Sequence, residues 1–137
     1  MAGKVLLEVV TPEKLLLSKQ VDMVIAPGSE GEFGVLPGHC HFLTTLRIGE
    51  LRYMEGDHTE YMSVLWGFAE VTPKKVTILA EVAEKAEDID PARAQAAVEA
   101  AQRKLEIGGL PSEVKDAQIS LEKARLRQKI AARASRR

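Results

Sequence analysis

Two hydrophobic periods divide this chain. Early on, short apolar or alternating runs are cut by turn residues, the signature of strands. Residues 4–10 form a β-branched-rich run that stops at Thr11-Pro12. Residues 21–26 form a second, stopped by Pro27-Gly28, and residues 42–48 a third, ended by Gly49. Residues 50–54 alternate polar and apolar, Glu55-Gly56-Asp57-His58 reads as a hairpin turn, and 59–65 as its return strand. Residues 67–72 and 76–82, separated by a Pro73-Lys74-Lys75 turn, read as two more. Closely spaced short strands without helical crossovers predict an antiparallel sandwich or barrel, not a parallel sheet.

The period changes near Ala83. Residues 83–88 form a charged link, after which Asp90-Pro91 opens a helix. Asp is a favoured N-cap and Pro loses nothing at the first helical position. Ala94, Val98, Ala101 and Leu105 then make one apolar stripe. Gly108-Gly109 and Pro111 end that helix, and Ser112 is the expected cap of a second one reaching Ala134. Its stripe is Val114, Ala117, Leu121 and Ala124, with Ile119, Leu126 and Ile130 on a neighbouring face. At 1.5 Å per residue this second helix would be about 34 Å long. The short turn makes the pair an antiparallel hairpin. Its Ala-rich contact face buries little area per residue, so weak, reversible docking is expected. The expected division is 1–84 for the sandwich and 85–137 for the hairpin.

Between the second and third strands lies Gly28-Ser29-Glu30-Gly31-Glu32-Phe33-Gly34-Val35-Leu36-Pro37-Gly38-His39, with four of the ten glycines. That density predicts tight turns linked by very short extended pieces, shaped for something to dock on.

Composition narrows the function. One cysteine among 137 residues rules out an internal disulfide and indicates a reducing compartment. Aromatic content of 4% gives no stacking platform for single-stranded nucleic acid. The apolar run after Lys4 is too short for a signal peptide or a membrane span. The net charge of −1 hides an asymmetry: residues 1–84 hold 7 Lys/Arg against 12 Asp/Glu, and residues 85–137 hold 12 against 8. Two parts of opposite sign meet different partners, or each other.

No pattern carries catalysis: there is no HExxH, no CxxC and no nucleophile triad spacing. The Gly28-x-x-Gly31-x-x-Gly34 run lacks the Gly-Lys-Ser/Thr end of a phosphate loop. His39-Cys40-His41 matches no common zinc spacing. The basic second helix reads as a solvated face, a docking face for an acidic protein surface, or a nucleic-acid contact; the acidic first half weighs against the last.

The Gly28–His39 stretch followed by Leu43-Thr44 resembles the hallmark loop of the ε subunits of bacterial F-type ATP synthases. Val9-Val10-Thr11-Pro12, Gly67-Phe68-Ala69-Glu70-Val71 and Val76-Thr77-Ile78-Leu79-Ala80 resemble strands of that family. Ala86-Glu87-Asp88-Ile89-Asp90 with Arg93-Ala94 resembles the start of its helical hairpin. The resemblance runs through the full chain in one register. It implies an N-terminal antiparallel β-sandwich of about ten strands and a C-terminal antiparallel two-helix hairpin. It implies a non-catalytic rotor subunit of the central stalk, coupling proton translocation to ATP synthesis at the cytoplasmic face of the bacterial plasma membrane. The partners implied are the γ subunit, the c-ring loops, and the β and α subunits of the catalytic hexamer, without membrane insertion or nucleic acid. Glu30 and Glu32 would belong to the ring-docking edge, and His39 would lie near γ. The hairpin would inhibit ATP hydrolysis when extended. Lys123, Arg125, Arg127, Lys129 and Arg133 would then face an acidic β-subunit segment.

No cofactor is required on this reading. Some relatives bind regulatory ATP through an Ile/Leu-Asp-x-x-Arg-Ala motif, which Ile89, Asp90, Arg93 and Ala94 match, with Glu84 as an acidic neighbour. Of the further arginines only Arg127 remains; Ala100, Asp116 and Lys123 occupy the other positions, so any ATP site would be weak. A free-standing sandwich adaptor with a basic helical arm, and a nucleic-acid module, are the other classes open at this point.

Overall fold

The computed structural model describes residues 3–134. The chain divides into two compact units, Met1–Glu84 and Lys85–Arg137.

The first unit is built from eight strands: β1 (Val5–Val10), β2 (Leu15–Val21), β3 (Met23–Gly28), β4 (Gly31–Val35), β5 (Phe42–Leu46), β6 (Gly49–Glu55), β7 (His58–Val71) and β8 (Lys75–Lys85). Their hydrogen-bonded order is β2-β1-β8-β7-β5-β3-β4, with β6 against both β3 and β7. Strict alternation on β1, where Val5, Leu7 and Val9 are fully buried, marks a sandwich face. The same alternation recurs in Val76, Ile78 and Ala80 of β8. Leu51, Met62, Val64, Val24 and Val35 complete one continuous core with them. β1 and β8 pair in parallel, Leu7 opposite Val76 and Val9 opposite Ile78. All other registers defined between strands are antiparallel.

Three expectations change here. The strands among the described residues number eight, not about ten. One reason is that 59–65 and 67–72 are a single strand of 14 residues, β7. Its first half pairs with β6 and its second half with β5. It turns the corner between them at Trp66-Gly67, where both residues have positive φ, 49° and 136°. The second change is at the glycine-rich stretch, which begins as a β3–β4 hairpin closed by Ser29-Glu30, not as a chain of turns. The third is the link after Ala83: β8 continues to Lys85, and a 3-10 turn covers Ala86–Asp88.

The second unit is a helical hairpin, α1 (Pro91–Ile107) and α2 (Pro111–Ala134). Asp90 caps α1, its Oδ1 accepting from the amides of Ala92 at 2.9 Å and Arg93 at 3.4 Å. Gly108 ends α1 with φ 76°. α2 begins one residue before the expected Ser112 cap. Pro111 is its first residue and Leu110 its N-cap, whose carbonyl accepts from Val114 at 3.0 Å. Glu113 reaches back to the Leu110 amide at 3.2 Å, half of a capping box. Val98, Ala101, Leu121 and Ala124 form the interhelix core, with Leu105 beside it.

Candidate functional site

The glycine-rich stretch forms the β3–β4 hairpin, which carries the candidate residues Glu30 and Glu32. Gly28 faces Gly31 across the ladder, and a Cβ on Gly28 would lie 2.8 Å from the Gly31 carbonyl oxygen. Gly31 itself sits at φ 133°, a conformation open mainly to glycine. These residues therefore allow the sharp reversal that puts Glu30 in the turn and Glu32 on edge strand β4, both exposed. The turn is tied back at its base. Ser29 and Thr45 hydroxyls hydrogen-bond at 2.5 Å, and the Ser29 amide donates to the Thr45 carbonyl at 2.9 Å. Arg47 Nε donates to the Gly28 carbonyl at 3.2 Å.

Glu32 is not isolated. Arg52 on β6 gives Nη2 to Glu32 Oε1 at 3.2 Å and Nη1 to Glu50 Oε2 at 3.1 Å. The Glu50 side chain is only 6% exposed, Arg52 is 27% and Glu32 45%. Arg52 was invisible as a site residue in the sequence. It stands twenty positions from Glu32 and is brought near because β4 and β6 both pair with β3.

His39 lies apart from this edge, in the connection from β4 to β5. Its amide donates to the Leu36 carbonyl at 3.2 Å, and Nδ1 lies 2.9 Å from the Cys40 carbonyl oxygen. The Phe33 and Phe42 rings meet edge to face, centroids 5.3 Å apart, joining β4 to the start of β5. Leu43, Phe68 and Leu79 are exposed at 69%, 52% and 47%. Leu43 and Phe68 share one face of the β5–β7 ladder. They add an apolar surface that the loop motif alone did not reveal.

In the second unit, Ile89 and Ala94 are buried, Asp90 is engaged in capping, and Arg93 is exposed. Gln95, two residues after Arg93, hydrogen-bonds Gln128, next to Arg127. The start of α1 thus adjoins the part of α2 that carries Arg127. Glu84 closes the first unit, at the end of β8. Along α2, Arg125 and Lys129 are exposed, while Lys123, Arg127 and Arg133 are half-buried. A separate cleft at the hairpin tip is lined by Lys104, Ile107, Glu113, Asp116 and Ser120. It does not include the Ile89–Ala94 residues. No group of His, Cys, Asp and Glu among the described residues is arranged to hold a metal ion.

A β-sandwich with a charged, glycine-shaped edge, followed by a helical hairpin with its own core, defines a two-domain β-sandwich and helical-hairpin protein. Residues 4–86 match the family described as ATP synthase, Delta/Epsilon chain, beta-sandwich domain, and residues 87–132 match its long alpha-helix domain. The chain belongs to the ATP synthase delta/epsilon chain family. It is 51% identical over 131 residues to the ATP synthase epsilon chain of Syntrophobacter fumaroxidans, covering 96% of this chain and 98% of that one. It is 47% identical to the epsilon chain of Citrifermentans bemidjiense, covering all of both chains. Among solved structures, a chain of the Euglena gracilis mitochondrial ATP synthase (OSCP/F1/c-ring) aligns with TM-score 0.82 and 25% identity, over 96% of this chain and 82% of that one. A chain from the central stalk and c-ring of the Tetrahymena thermophila mitochondrial enzyme shares the fold, with TM-score 0.60 and 16% identity, over 93% and 96%.

Proposed function

We propose that this chain is a central-stalk subunit of an F-type ATP synthase, coupling proton translocation to ATP synthesis without doing chemistry itself. The observation that carries the reading is the match of both family domains, in order, to one sandwich and one hairpin. The partners are the γ subunit, the polar loops of the c-ring, and the β and α subunits of the hexamer. The complex would hold the chain at the cytoplasmic face of the plasma membrane as a peripheral subunit. No helix among the described residues is long and apolar enough to cross a membrane, which accords with that place.

In this reading the Glu30–Glu32 edge meets the ring, and His39 with the exposed Leu43 and Phe68 surface meets γ. The hairpin is regulatory. Its own interhelix core and its own capping let it move as one body, and its basic α2 suits an acidic partner segment. Extended, it would inhibit ATP hydrolysis. A change in relative stability of a few kcal/mol between docked states is enough to shift their populations. Asp90 serves α1 as a cap, so any ATP held near Arg93 and Arg127 would be regulatory and weak.

Affinity purification of the tagged full-length chain tests the assignment. Catalytic α and β subunits, γ and ring should co-purify with ATPase activity. Recovery without them would favour a free-standing sandwich adaptor.

A further inference from the structure

Glu50 is an acidic residue with little access to water. Its side chain is 6% exposed on β6. Burying a carboxylate is costly unless a cation and hydrogen bonds meet it. Ser63, opposite Glu50 on β7, does not help: it is fully buried and its Oγ makes no hydrogen bond. Arg52 is one of the groups that meet it, through Nη1 at 3.1 Å.

A single Arg–carboxylate pair would satisfy that requirement with both fork nitrogens on one carboxylate, the usual bidentate arrangement. Here the fork is split. Nη2 is turned away from Glu50 to Glu32 at 3.2 Å. Glu32 lies on β4, Arg52 on β6, and β3 runs between them. The guanidinium therefore spans β3, with its buried end fixed and its outer end on the docking edge. Ile25 of β3 stands opposite both Arg52 on β6 and Gly34 on β4, and Pro27, two residues along, faces Glu32. A Cβ on Gly34 would already lie 3.0 Å from Met23 Cε.

We propose that Arg52 is a positioning residue: pinned by buried Glu50, it holds the Glu32 carboxylate in the orientation its docking partner meets. One carboxylate oxygen, Oε1, is taken by Arg52, which leaves Oε2 for the partner. The matching partner group is a single hydrogen-bond donor, a backbone N–H or one Lys or Arg on a polar loop. A free, flexible Glu32 would lose side-chain entropy on docking that the clamped one has already lost. The proposal rests on reading Glu32 as the ring contact.

Two measurements separate the clamp from that reading. In the isolated full-length chain, NMR exchange of the guanidinium Hη protons reports rotation about the Arg52 Cζ–Nε bond. Slow rotation, released in both Glu50→Gln and Glu32→Gln, is expected; fast rotation in the wild-type chain overturns the clamp whatever Glu32 docks on. In complexes rebuilt from depleted membranes, ATP-driven proton pumping per ATP hydrolysed is the second readout. Glu32→Gln and Arg52→Gln should each lower it by about two- to fivefold, and the double variant should be no worse than Glu32→Gln alone. Arg52→Lys should restore thermal stability by neutralising Glu50 but not pumping, because an ammonium cannot fork between two carboxylates. Full pumping in Arg52→Gln, with loss in Glu32→Gln, overturns the positioning role. Full pumping in Glu32→Gln overturns the ring contact, and the NMR result then stands by itself.

Discussion

Single residues decide how this sandwich closes. Gly67 sits at φ 136° where β7 changes partners, and a Cβ there would overlap the Leu79 carbonyl oxygen. Gly67→Ala therefore combines strain with a backbone clash. It should destabilise the chain by about 3 kcal/mol or more, seen as a lower urea midpoint. Asp22 works differently. Its carboxylate is held below the ordinary carboxylate range, first by the Lys4 hydrogen bond and then by the Gly56 amide, at 2.8 and 2.7 Å. Lys4 is raised above its ordinary value by the same contact. The depressed acid stabilises the fold above its unfolded value of 3.8 and loses that contribution as pH falls through its lower folded value. The raised base contributes below 10.5 and loses its share as pH rises through its higher folded value. Asp22→Asn should thus lower thermal stability at neutral pH, and the difference from wild type should vanish in strong acid. Thermal midpoints recorded from pH 2 to pH 7 check the sign.

At the scale of elements, legibility depended on whether local or distant residues decide the structure. The β6–β7 hairpin was legible because Glu55-Gly56-Asp57-His58 makes its own turn, and Glu55 does pair with His58. The Asp90-Pro91 start of α1 was legible for the same reason. β2 was not: Ser18-Lys19-Gln20 are polar and exposed on a strand that pairs only with β1, so only the pairing makes it a strand. β4 was hidden by its glycines, which weaken intrinsic strand preference, while five paired positions with β3 hold it. The α2 cap was misplaced because Ser112 is the better intrinsic cap, whereas Pro111 at the first helical position and Glu113 reaching back decide the start. The exposed place of Glu32 beside the turn was legible from the loop, while its ion pair with Arg52 was not, since only the β4–β3–β6 order joins them. The hairpin core makes its own prediction. Leu121→Ala removes the largest buried side chain of the α1–α2 cluster and should cost the hairpin about 2–4 kcal/mol. Hydrogen exchange should speed in α1 and α2 and stay unchanged in β1, β7 and β8.

For the whole molecule, charge and architecture divide along the same line. The acidic sandwich carries the Glu32 edge, and the basic hairpin carries Arg125, Arg127 and Lys129. Reversing charge at the edge should therefore damage coupling more than folding. Glu32→Lys is exposed and places a second cation beside Arg52, so its thermal midpoint should fall only slightly while proton pumping per ATP falls clearly. Truncation after Glu87 tests most directly whether the chain is a rotor subunit with a regulatory hairpin. ATP synthesis and ATP hydrolysis would be measured on membranes that contain the shortened chain. An assembled complex in which coupled synthesis persists and hydrolysis rises is expected. Loss of assembly, or hydrolysis unchanged from the full-length complex, would contradict it.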